Sequence, residues 1–127
     1  MRVAIPDESY KALSRYAQGV VHAAAAARIV VSGQLGLRPD GTLESGLEAQ
    51  MARAWANVFA VLAAGGFEAG HLLRATIYVT VPGQVALYRA VRDRMLDGQN
   101  CACTYVEVAG LTAPEHLVEI EAEAVKD

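Results

Sequence analysis

The sequence predicts an α+β domain in which two amphipathic helices lie on one face of a sheet. Three observations predict it. Five short segments have strand character, two longer ones repeat apolar residues at helical spacing, and the order is strand, strand, helix, strand, helix, strand, strand. A sheet covered on one side by helices is the natural layering of that order. The 127 residues form one domain, 1–127, without linker or repeat. Hydrophobic residues make up 54% of the chain, many of them alanine, and a domain this small gains from self-association.

Taken in order, Ser9–Tyr16 is polar and reads as irregular. Gln18–His22 and Arg28–Ser32 read as two short strands, the second rich in Ile and Val. Between them, Ala23–Ala27 favours helix by propensity but is too short to nucleate one, so it reads as a hairpin connection. Arg38-Pro39-Asp40-Gly41 is a turn, with proline presetting φ and Asp-Gly reversing the chain. Ser45-Gly46-Leu47-Glu48 has capping-box spacing. Leu47, Met51, Ala54, Val58, Val61 and Leu62 then form a helical stripe, widened by Trp55 and Phe59. Gly65-Gly66 should end this helix in a left-handed cap.

Leu73–Val81 is the next strand, with Ala75, Ile77 and Val79 on one side. Pro82 should open the second helix near its first position, where the missing N–H costs little. Its stripe is Val85, Tyr88, Val91, Arg92 and Met95, and Gly98 should stop it. Ala102–Val108 and Leu117–Val125 then alternate with period two, and their connection through Gly110 and Pro114 suits antiparallel pairing. Cys101, Cys103, Tyr105 and Glu107 share one face of the first; Glu119, Glu121 and Glu123 share one face of the second. Pairing would bring thiols and carboxylates onto one surface. Those carboxylates should raise the Cys103 thiol pKa, with Glu119 as a candidate base.

Several function classes are disfavoured. The net charge is −3 and the arginines are scattered, which argues against a nucleic-acid partner. The longest apolar run, Val58–Phe67, falls short of the ~20 residues of a membrane helix. Met1–Glu8 turns acidic without a long apolar core, unlike a secretory signal, so a cytoplasmic location is the expectation. There is no phosphate-binding glycine loop, and His22, His71 and His116 stand apart from any oriented nucleophile. The Cys101-x-Cys103 pair has too few ligands for structural zinc, so neither metal nor cofactor is expected.

The same residues carry a family resemblance. Tyr105–Ala109 with Glu119–Ala122 resembles the C-terminal signature of the reactive intermediate deaminase family, also called RidA-like or YjgF-like. Tyr16-Ala17-Gln18-Gly19 resembles its PY-x-Q-G/A segment, Val31-Ser32-Gly33-Gln34-Leu35 its SGQ segment, and Glu48–Gly66 its central helix. The resemblance runs from Tyr16 to Val125. It implies a chorismate-mutase-like sandwich, a mixed sheet of about six strands with two helices on one face. It also implies a homotrimer that takes a small-molecule metabolite in clefts between subunits.

By the resemblance, Glu119 matches the glutamate that holds or activates the attacking water, and Tyr16, Ser32 and Gly33 match cleft-lining positions. Deaminating members read A-R-S-C-V-E-V-A where this chain reads Ala102–Ala109, so Cys103 replaces the arginine that grips a substrate carboxylate, and Tyr105 replaces a cysteine. A thiol lacks the charged planar fork of arginine. Arg15 stands where the family has proline and is either a solvated charge or a substitute cation; Val85 stands near a pocket asparagine. One reading is a hydrolase or deaminase of an imine-, enamine- or amide-like metabolite. Its catalytic residues would be Glu119 and Cys103, with Tyr16, Ser32, Gly33, Tyr105 and Arg15 binding substrate. The others are a non-catalytic ligand-binding trimer and an RNA-cleaving translation inhibitor; the acidic balance speaks against the last. Cys103 can also be simply a small buried hydrophobe, and Glu121 and Glu123 a solvated strand face.

Overall fold

The computed structural model describes residues 2–4, 19–21 and 26–127. In chain order the elements are β1 (Arg2–Ala4), β2 (Gly19–Val21), β3 (Ala27–Leu35), α1 (Leu47–Ala64), β4 (Leu72–Val79), α2 (Val85–Leu96), β5 (Ala102–Glu107) and β6 (Val118–Lys126), with a 3-10 turn at Ala69–His71 before β4. Among the described residues six strands are present, divided between two sheets. The main sheet has the order β3-β6-β4-β5 and carries α1 and α2 on one face; β1 and β2 form a separate antiparallel pair. The α+β sandwich is therefore as expected, on a four-stranded main sheet.

Two strand pairings differ from the sequence expectation. The last two strands do not pair: β4 lies between them, parallel to β5 and antiparallel to β6. The reason is the crossover helix. A strand–helix–strand connection returns the chain to the end it left, so β5 runs parallel to β4 on the sheet edge. β3 and β4, joined through α1, are likewise both antiparallel to β6, which inserts between them. Residues 108–117 carry the chain past the end of β4, tied there by Val108 N–H to Val79 C=O (2.9 Å) and Thr80 N–H to Leu117 C=O (3.0 Å). Second, β2 pairs with β1 and, among the described residues, not with β3. The polar segment 9–16 and most of the alanine run lie outside the described residues.

Helix ends show which local signals were used. Phe67 N–H reaches Leu62 C=O (2.8 Å), Gly66 N–H reaches Ala63 C=O (3.0 Å), and Gly66 has φ 81°. This Schellman closure requires a left-handed residue after the cap, which glycine supplies without a Cβ penalty. The expected capping box does not form. Gly46, not Ser45, is the N-cap of α1, at φ 87°, with no side-chain bond. Pro82 is not in the first turn of α2 either: Gly83 turns the chain and Gln84 is the N-cap.

The core lies between the helices and one sheet face. Met51, Trp55, Val58 and Leu62 of α1 and Val91 of α2 pack on Val31, Ile77, Val79, Val118 and Ile120. Among the polar residues buried in the molecule is Gln50. Gln50 accepts from Leu117 N–H (2.9 Å) and donates to Glu115 C=O (3.2 Å), holding the entry to β6 against α1. A Cβ on Gly36 would lie 2.6 Å from Gln50 Cα, so glycine lets β3 and α1 approach this closely. Gln50→Leu keeps the volume and strands both backbone groups. The expected cost is about 1–3 kcal/mol, read as a melting temperature lower by roughly 5–10 °C. A variant melting within a degree of the parent would show that this clamp contributes nothing.

Candidate functional site

Side-chain alternation divides the reactive residues between two faces of the sheet. Val118, Ile120, Ala122 and Ala124 of β6 face the helices, which leaves Glu119, Glu121 and Glu123 on the open face. There Glu119 is in register with Tyr78, Glu121 with Thr76, and Glu123 with Arg74. Glu123 is almost buried, held by Arg28 Nη2 (2.6 Å) and Arg74 Nε (3.1 Å). Glu121 accepts from the Tyr78 hydroxyl (3.0 Å). That bond is the main reason the Tyr78 pKa is raised, because ionising the phenol would place two anions together.

Glu119 is different. It is half-buried and, among the described residues, has no hydrogen-bond or ion-pair partner. The register of β3 shifts between Val31 and Gln34, a bulge that holds Ser32 and Gly33. The Glu119 carboxylate lies against Gly33 so closely that a Cβ there would overlap it. The site-forming contact is thus a glycine in a bulge opposite a carboxylate. Further along the same face is a shallow cavity of about 90 Å³, lined by Val30, Arg74, Thr76, Glu121 and Glu123 among others and not by Glu119.

Cys103 and Tyr105 lie on the opposite, helix-facing side. Cys103 is in register with buried Ala75 and Tyr105 with buried Ile77, and both pack against the core. Within one chain, then, the sheet separates the Cys103 thiol from Glu119, contrary to the expectation from sequence. Cys101 is buried, with its Sγ 3.3 Å from Cys103 Sγ. Tyr88 and Arg92, one turn apart on α2, close the cluster: Arg92 Nη1 donates to the Tyr88 hydroxyl (3.2 Å), and the Tyr88 ring stacks on Tyr105 at 5.0 Å. The Cys103 thiol pKa is lowered, chiefly by a hydrogen bond from Cys101, against burial and with help from Arg92 and the Tyr88 hydroxyl. Cys101 is correspondingly pushed up. Tyr88 is raised to about 12, first by burial and then by Cys103. The expected direction for Cys103 is thereby reversed, since its charged neighbour is Arg92 and not the β6 carboxylates. Tyr105 donates to Glu107 (2.8 Å), which also accepts from Gly83 N–H (2.8 Å), so this carboxylate is occupied in holding the entry to α2.

Of the residues singled out from sequence, the structure joins Ser32, Gly33 and Glu119 on one face and puts Cys103 and Tyr105 behind it. Tyr16 and Arg15 lie outside the described residues. Val85, counted in the α2 stripe, is exposed. Sequence reasoning missed the role of Arg92, a charged residue on an otherwise apolar stripe; that anomaly was the available signal.

With this geometry in hand, similarity to known proteins becomes informative. A family model described as Endoribonuclease L-PSP matches residues 7–126. The chain belongs to that family. A curated relative, Protein DfrA of Myxococcus xanthus, is 36% identical over 122 residues, spanning 94% of this chain and 91% of the relative. The fold is also similar to YyfB of Yersinia pestis, described as a protein of unknown function of the conserved Rid protein family. That match has a TM-score of 0.88, 28% identity, and coverage of 98% and 97% of the two chains. The Escherichia coli YjgF gene product matches over the full length of both chains with a TM-score of 0.73 and 27% identity. Among the described residues, no helix of this family member is long and apolar enough to cross a membrane.

Proposed function

We propose that the protein adds water to a small imine-, enamine- or amide-like metabolite, with Glu119 positioning that water, in clefts between the subunits of a homotrimer. The observation that carries this reading is the Glu119 carboxylate. It is half-buried, lies against Gly33, and is the one glutamate of the β6 row without a hydrogen-bond or ion-pair partner among the described residues. Glu121 and Glu123 are occupied; Glu119 is available to accept a proton from water and return it to the departing nitrogen. The cavity of about 90 Å³ on the same open face, walled by Glu121 and Glu123, is smaller than the roughly 300 Å³ at which ligand pockets begin, which supports a site completed by a second protomer. Ser32, in the bulge with Gly33, and Tyr16 and Arg15 of the N-terminal segment are the proposed further contributors. Cys103 in the arginine position supports a substrate other than a 2-imino acid.

The test combines light scattering with a screen of imine, enamine and amide metabolites, read by ammonia or carbonyl release. A trimer is expected, along with turnover that falls about 10²- to 10⁴-fold in Glu119→Gln. Hydrolysis of 2-aminoacrylate should be weak. A monomer at micromolar concentration, or a Glu119→Gln variant with parental turnover, would overturn the reading. Saturable binding without turnover would replace it with the ligand-binding reading.

A further inference from the structure

We propose that Cys101 and Cys103 form a peroxide-reactive dithiol site, separate from the Glu119 face, in which Cys103 is attacked first and Cys101 resolves it to an intrachain disulfide. A single cysteine on a strand is most simply a small hydrophobe. Here the two sulfurs are 3.3 Å apart, with Cys101 inside the core and Cys103 partly exposed. A tyrosine hydroxyl and an arginine from α2 accompany them. This is a donor set for a sulfur anion: the Cys101 S–H, the Tyr88 O–H and the Arg92 charge all favour the thiolate at Cys103. The more accessible sulfur, Cys103, is the one whose thiol pKa is lowered, and Cys101 stands against it inside the core. That division of roles is what a two-step oxidation needs.

The chemistry balances with a hydroperoxide as the named oxidant. The Cys103 thiolate attacks the outer peroxide oxygen, the O–O bond breaks, and Cys103 sulfenic acid and an alkoxide or hydroxide form. The Cys101 sulfur then attacks the Cys103 sulfur. The S–O bond breaks, the hydroxyl leaves as water with the Cys101 proton, and the S–S bond forms. Residues i and i+2 of an extended chain are about 6.6 Å apart, at the upper limit of what a disulfide spans. The bond should therefore be easily reduced, and a small dithiol should restore both thiols.

The experiment treats the purified full-length protein with hydrogen peroxide and follows intact mass and free thiols. Loss of two hydrogens per chain is expected, reversed by dithiothreitol. Cys101→Ser should halt at a sulfenic acid on Cys103 that dimedone captures. Tyr88→Phe, which retains the ring stacked on Tyr105, should slow the Cys103 reaction by up to about tenfold, the worth of one hydrogen bond to the sulfur. In the unmutated protein, the pH profile of Cys103 alkylation should inflect below the usual ~8.5, a readout that needs no variant to fold. Thiols that resist peroxide as glutathione does, oxidation giving only chain-to-chain disulfides, or an inflection at or above the usual value would overturn the proposal. Glu119→Gln should react with peroxide like the parent, so the two readings stand or fall separately.

Discussion

Gly33→Ala is expected to inactivate the protein as thoroughly as removal of the Glu119 carboxylate. The methyl group would occupy the space the carboxylate now fills, and the atom it meets is the end of a flexible side chain rather than backbone. Glu119 can swing away, so the fold should survive while the water loses its acceptor. Loss of a general base typically costs about 10²- to 10⁴-fold in turnover. Because both changes remove the same interaction, Gly33→Ala combined with Glu119→Gln should be no worse than either alone. The measurement is turnover of the metabolite found by the screen, beside thermal melting of each variant. Multiplicative losses would show that Gly33 and Glu119 act independently and would remove the bulge from the site.

The largest stability effect is expected at Trp55. Its side chain is wholly buried on the sheet side of α1, next to Phe59 with ring centroids 6.0 Å apart. Trp55→Ala should cost about 3–5 kcal/mol, enough to threaten a domain of this size. Among the described residues, the indole N–H has no hydrogen-bond partner. A buried donor without an acceptor carries a desolvation cost, so part of what the ring contributes is offset. Trp55→Phe removes that donor along with some packing, and should cost well under half as much as Trp55→Ala. Denaturant unfolding of both variants provides the test. Equal losses would mean that a phenyl ring recovers none of the packing and that removing the unpaired N–H gains nothing.

Much of the molecule was legible before the fold was known, where the signal is local. The α1 stripe through Met51, Ala54 and Val58 recurs in the buried set, and Gly65-Gly66 closes that helix. The faces of β4 follow from alternation alone, with Ala75, Ile77 and Val79 buried. The Ser32-Gly33 and Glu119 segments were singled out separately, and the structure brings them into contact. Turn chemistry was less dependable. Ser45 and Pro82 had suitable types at suitable spacings, yet glycines with positive φ beside them set both helix starts. A single residue can carry either signal, and backbone geometry chooses between them.

What sequence could not supply was adjacency. Alternation tells which residues of a strand share a face but is silent about which strand lies beside it. The β5 and β6 patterns fit a hairpin equally well; the parallel crossover through α2 excluded it by placing β4 between them. That one topological fact turned Cys103 away from Glu119 and toward Tyr88 and Arg92, which add to the Cys101 hydrogen bond in lowering the thiol pKa. Local periodicity thus defines the elements and their buried faces, because both depend on a few neighbouring residues. The chemical company each reactive side chain keeps depends on strand order and helix placement, which contacts between distant residues decide.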